Sequence, residues 1–296
     1  MSLLSQWREA VGQELDRLVP PPERWPSTLH RAIRHSLFAG GKRLRPLLAL
    51  AAARACGGDE GDVLPAACGL EMIHTYSLIH DDLPALDDDD WRRGVPTCHR
   101  EFGEATAILA GDALLTHGLG CLARYPEDRR FGRARLAVVS DVVDAIGSQG
   151  MIGGQVEDLA AEEEKDPAAQ TPERLERIHS HKTGKLIAVC LRTGGRLAFA
   201  PPGTLERLSR LGELIGLAFQ IKDDLLDVES SREELGKTAG KDSARGKLTF
   251  PGVHGLERSR EILETTAGEA VAIARELESG DGPLAELASF VERRRN

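Results

Sequence analysis

Leu4, Trp7, Val11, Leu15 and Leu18 recur at spacings of three and four, the period that places apolar side chains on one face of a helix. Pro20, Pro21 and Pro22 follow at once and predict its end, because proline lacks an amide hydrogen and clashes with the preceding turn. Similar patterns between turn signals predict helices over about 27–38, 44–56, 62–82, 104–124, 129–149, 151–163, 172–198, 204–228 and 256–278, with a short one at 283–293. Ala, Leu, Glu and Arg fill these runs and aromatic residues make up only 4% of the chain, which favours helix over strand throughout. The prediction is an all-α protein. Two long connections interrupt it, 84–101 and 229–251, both charged and Gly-containing, and each directly follows a carboxylate cluster. With no repeat period and no low-complexity linker, residues 1–296 read as a single domain.

Composition narrows the class. Thirty-eight Lys and Arg against 47 Asp and Glu leave a formal charge of −9, which argues against nucleic acid as the main partner. Anionic ligands must then be held locally. No apolar run long enough to predict a membrane span and no signal peptide is read from the sequence. The five cysteines lack a CxxC pair, so they are expected reduced, in a cytoplasmic protein.

Six carboxylates, Asp81, Asp82, Asp87, Asp88, Asp89 and Asp90, crowd ten positions, and they repel unless cations neutralise them. Asp223, Asp224 and Asp227 lie in the apolar run IGLAFQIKDDLLDV. Asp223 and Asp227 share a helix face one turn apart. Hard oxygen donors of this kind suit Mg²⁺, which takes one or two carboxylates and completes its shell with water and phosphate. Asp81 and Asp87 are six apart and would diverge on a regular helix, so Pro84 is expected to end the helix and bring Asp87 round. Basic residues stand where phosphates need them: Lys42, Arg43 and Arg45 open a helix in GGKRLRP, Arg92 and Arg93 follow the first cluster, Lys182 and Thr183 interrupt a helical run, and Lys237 and Lys247 follow the second cluster. Other motifs fail. Gly236-Lys237-Thr238 has Ser231 where a P-loop needs Gly, an EF-hand starting at Asp87 meets Arg92 in place of its Gly, and HExxH and GxSxG are absent.

In this order, GGKRLRP at 40–46, IHTYSLIHDDLPALDDDDWRRGVPTCH at 73–99, HKTG at 181–184, FQIKDDLLD at 219–227, Gly236-Lys237 and GKLTFP at 246–251, the chain resembles the trans-isoprenyl diphosphate synthases over nearly its whole length. The resemblance is closest to the bacterial-type farnesyl diphosphate synthases. It implies about ten core helices around a deep central cavity, a homodimer, and condensation of an allylic diphosphate with isopentenyl diphosphate. It further implies that Asp81, Asp87 and Asp223 hold three Mg²⁺, with Asp224 and Asp227 as close partners. Arg92, Lys182, Gln220 and Lys237 would meet the allylic diphosphate, Lys247 would serve substrate binding, and Lys42, Arg45, His74 and Arg93 would hold isopentenyl diphosphate. Carbonyl oxygens freed at the break at Lys182 and Thr183, together with the Gln220 amide oxygen, would stabilise the carbocation. Tyr76, five residues before Asp81, would floor the pocket and set a C15 product. A terpene cyclase and a catalytically silent subunit are the rivals, and the presence of both aspartate motifs weighs against each.

Overall fold

The computed structural model describes residues 2–164, 166–233 and 247–294. The chain is all-α, with twelve helices of eight or more residues among the described ones. Contacts divide it into two compact units, one comprising Met1–Val139 and Thr193–Phe199, the other Ser140–Arg192 and Ala200–Asn296.

In the first unit α1 (Leu3–Leu18) starts at Ser2, whose hydroxyl accepts the Ser5 amide, and stops before the prolines. It buries Leu4, Trp7, Val11 and Leu15, the face its spacing predicts. Helices α2 (Ser27–Leu37) and α3 (Leu44–Ala55) follow. Helix α4 (Glu60–Asp81) begins two residues earlier than its apolar pattern, because Asp59 caps it by accepting the Gly61 and Asp62 amides. Side chains all round α4 are buried, among them Cys68, Leu70, Met72, Ile73 and Ile79, which marks a central helix. The expected loop 84–101 holds more structure than predicted: strands β1 (Trp91–Arg92) and β2 (Val95–Pro96) pair antiparallel, and the short α5 (Cys98–Phe102) follows. Helix α6 (Glu104–Arg124) lies antiparallel along α4, with Ala107, Ala110, Gly111, Leu114, Gly118 and Cys121 on its buried face.

The run expected over 129–149 opens instead with a 3₁₀ turn at Arg129–Phe131, and α7 (Gly132–Ile146) continues from it. The second unit contains α8 (Met151–Glu163) and α9 (Pro172–His179). The interruption foreseen at Lys182 is a π turn, Ser180–Gly184, between α9 and α10 (Lys185–Leu197). Helix α11 (Pro202–Glu233) runs five residues past its predicted end. Helices α12 (Phe250–His254), α13 (Leu256–Glu278) and α14 (Pro283–Arg293) complete the unit.

Contrary to expectation, α6 and the 129–163 stretch are long and apolar enough to cross a membrane by length and composition alone, since a few charges within each leave its mean hydropathy high. In α6 the glycine-bearing face lies on α4, while Ile108 and Leu109 on the same helix are exposed. None of the five cysteines, all among the described residues, forms a disulfide, and Cys68, Cys98, Cys121 and Cys190 are buried.

Candidate active site

The first aspartate motif grows out of the end of α4. Leu83 and Leu86 amides bond to His80 and Leu83 carbonyls around Pro84, and the Asp87 amide donates to the Asp81 carbonyl at 2.8 Å. The chain thus turns back and returns Asp87 to Asp81, as the proline foretold. Asp82 is 3% exposed and receives the Arg92 guanidinium in a fork, at 2.7 and 2.9 Å from Nε. Arg92, expected on a diphosphate, is therefore oriented by Asp82, a member of the first carboxylate cluster that was not among the expected metal ligands.

The turn between β1 and β2 carries Arg93 to the GGKRLRP segment, where its Nη1 donates to the Gly40 carbonyl at 2.6 Å. Gly40 and Gly41 have φ of 97° and 123°, and a Cβ on Gly41 would lie 2.6 Å from that same guanidinium nitrogen. The positive φ favours glycine at both positions, and a Cβ at 41 would displace the Arg93 guanidinium. Arg43 caps α3 in a left-handed conformation. It donates to Glu71 Oε1 at 3.0 Å and to the Leu37 carbonyl at 2.7 Å. This buried pair, missed in the sequence, holds the segment that presents Lys42 and Arg45. The lone carboxylate in the apolar run ACGLEMIH was its signal. His74 is one turn further along α4, and its pKa lies well below 6.5 because of burial first and then the charges of Arg45, Arg93, Arg92 and Arg43. A neutral imidazole suits a place already rich in cations. Tyr76 is 5% exposed, its ring edge-on to His80 at 5.7 Å. Burial and the nearby Asp81 push its hydroxyl up to about 12.

The second unit assembles around the π turn. Gly154 of α8 lets that helix lie directly on the Lys182 backbone, where a Cβ would collide with the amide. The approach places Asp158, another residue the sequence reading missed, 2.6 Å from Lys182 Nζ. On the other side, a Cβ on Gly216 of α11 would sit 2.6 Å from Gly184 Cα. Across this contact the Thr183 hydroxyl donates to Gln220 Oε1 at 3.1 Å, and Gln220 Nε2 donates to Asp224 Oδ1 at 3.3 Å. The other Asp224 oxygen accepts the Phe250 amide at 2.9 Å, and Asp224 is 5% exposed. Asp224, expected beside the metal, thus engages both carboxylate oxygens in the protein and fastens α12 to α11. Asp223 is more open. Its Oδ1 lies 2.5 Å from Arg294 Nη2. That guanidinium, 6% exposed, also donates to the Phe219 carbonyl and stacks 3.8 Å over the Phe219 ring. The terminal run of arginines carries no apolar signal, so the sequence gives no sign of this contact. Lys247 Nζ is 3.8 Å from Glu162, and Lys237 lies outside the described residues.

Among the described residues no three His, Cys, Asp or Glu side chains converge as a metal cluster. The cation already lodged against Asp223 shows that this carboxylate accepts positive charge.

The family model for polyprenyl synthetases matches residues 26–278. The chain belongs to the polyprenyl synthetase family. It is 45% identical to farnesyl diphosphate synthase of Bacillus subtilis over 91% of this chain and 90% of that one. It is equally 45% identical to geranylgeranyl pyrophosphate synthase 11, chloroplastic, of Arabidopsis thaliana, over 97% and 80%. Among solved structures, an FPP/GFPP synthase from Zymomonas mobilis superposes with a TM-score of 0.84 at 33% identity, over 98% of this chain and 96% of that one. This polyprenyl synthetase is accordingly a member of a prenyltransferase family of isoprenoid biosynthesis, whose substrates are allylic diphosphates and isopentenyl diphosphate.

Proposed function

We propose that the protein condenses dimethylallyl or geranyl diphosphate with isopentenyl diphosphate and stops at C15, farnesyl diphosphate. Equal identity to a farnesyl and a geranylgeranyl enzyme does not select the product length. Tyr76 carries the reading. Its buried ring lies five residues, about 7.5 Å along the axis of α4, before Asp81, and Ser77 beside it is too small to block a tail. Lys42, Arg45, His74 and Arg93 hold isopentenyl diphosphate. Arg92, Lys182, Lys237 and Lys247 serve the allylic diphosphate. Asp81, Asp87, Asp223 and Asp227 are the oxygen donors for Mg²⁺, three ions by family resemblance, and Asp224 leaves that set for a structural one. When bound, Mg²⁺ neutralises the charge that develops on the departing diphosphate. Thr183, held by Gln220, and the carbonyl groups of the π turn present oxygen dipoles to the allylic cation.

Exposed Ile108 and Leu109 on α6, and Ile152 and Val156 on α8, support a homodimer, to be checked by light scattering. Buried thiols held outside any disulfide support a cytoplasmic, reducing setting. Chromatography of the products tests the C15 reading. The native enzyme should release farnesyl diphosphate, and Tyr76→Ala should shift the products to C20 or longer. An active Tyr76→Ala enzyme with unchanged products removes Tyr76 as the floor and leaves the product length open between C10, C15 and C20. Absence of turnover with Mg²⁺ present would favour a non-catalytic subunit.

A further inference from the structure

Two glycines on the buried face of α6 set how closely it lies on α4. A Cβ on Gly118 would be 2.6 Å from the Gly69 carbonyl oxygen and 2.7 Å from Ile73 Cγ1. Seven residues earlier, about two turns, a Cβ on Gly111 would fall on the His80 imidazole, overlapping Nε2 and Cδ2. That ring is fixed by two contacts. Its Nε2–H donates to the Ile108 carbonyl of α6 at 3.0 Å, and its plane stands at 83° to the Tyr76 ring, 5.7 Å between centroids. Tyr76 lies on the stretch of α4 between Ile73 and His80, flanked by the two glycine contacts. At Gly111 the obstacle would be the far end of one side chain, whereas at Gly118 it includes backbone. A methyl group at 111 can be accommodated, but only if the imidazole leaves its place beside Tyr76.

We propose that Gly111, acting through His80, is a positioning residue for product length: the space it leaves keeps the imidazole against Tyr76 and the tyrosine ring across the pocket. The proposal rests on the reading of Tyr76 as the floor. His80 and Gly111 touch no diphosphate in this scheme. They act on where the chain stops growing.

The test compares products formed from dimethylallyl and isopentenyl diphosphates with Mg²⁺ by the native enzyme, Tyr76→Ala, Gly111→Ala, His80→Ala, the double variant Gly111→Ala/His80→Ala, and Gly118→Ala. Gly111→Ala and His80→Ala should each raise the ratio of C20 to C15 product about tenfold, a factor that small changes in relative barriers produce. The double variant should go no further than either single one, since both remove one contact. Gly118→Ala should lower the melting temperature and leave the ratio unchanged, which separates positioning from general packing. If Tyr76→Ala lengthens the product while Gly111→Ala and His80→Ala do not, the inference is overturned and the Tyr76 reading survives. If Tyr76→Ala leaves the product unchanged, the Tyr76 reading fails and this inference fails with it. Should Gly111→Ala not fold, His80→Ala decides alone, because it removes atoms instead of adding them.

Discussion

Asp81 and Asp224 sit in the two aspartate motifs, but the protein itself supplies partners to both carboxylate oxygens of Asp224, whereas Asp81 is proposed as a metal ligand. Asp224 accepts the Phe250 amide and the Gln220 side-chain amide inside the protein. Asp224→Ala strands a buried backbone donor, so it should cost about 1–3 kcal/mol of stability. Denaturant unfolding measures this. Asp81→Ala should leave the unfolding midpoint nearly unchanged and reduce turnover roughly a thousand-fold, because phosphate charge loses its counter-ion. A destabilised Asp81→Ala with near-native turnover would reverse the assignment. The sequence could show Asp223 and Asp227 at helical spacing with Asp224 between them. It could not show that the chain returns at Phe250 to use one of them, since that contact joins positions 26 apart.

At the scale of elements, the helices were legible because their apolar faces repeat over several turns, and both ends of α1 are marked by residue chemistry, a serine cap and a run of prolines. The β1–β2 ribbon was not legible, since two residues per strand hold no periodicity. Lys182 was legible as a disturbance but not as a π turn, because the extra residue is accommodated through tertiary contacts with α8 and α11. The weak point is Gly154. Gly154→Ala should push α8 off the π turn, lengthen the Asp158–Lys182 contact, and cost about 1–3 kcal/mol from overpacking. Turnover should fall further than Asp158→Asn alone makes it fall, as the turn itself shifts. Equal losses in the two variants would confine the effect to the ion pair.

For the whole molecule, acid should weaken the fold before carboxylates titrate. His179 is 5% exposed against Phe250, and burial lowers its pKa from 6.5 to about 4. Below pH 6.5 the unfolded chain takes a proton that the folded one refuses, so stability is full at neutral pH and declines as pH falls toward 4. The loss approaches about 3 kcal/mol. The lowered pKa of His74 adds a slope of the same sign. His179→Phe should flatten the dependence between pH 6.5 and 5, and an unchanged slope would place the acid sensitivity elsewhere. The buried thiols carry a different consequence. Burial raises Cys98 and Cys121 to about 11 and Cys68 well above 9, so an alkylating reagent at neutral pH reacts only after the surrounding helices open. Cys68, Cys98 and Cys121 belong to the first unit and Cys190 to the second. Mass-resolved labelling of the native enzyme therefore runs two separate clocks, one on the opening of each unit, with no foreign probe introduced.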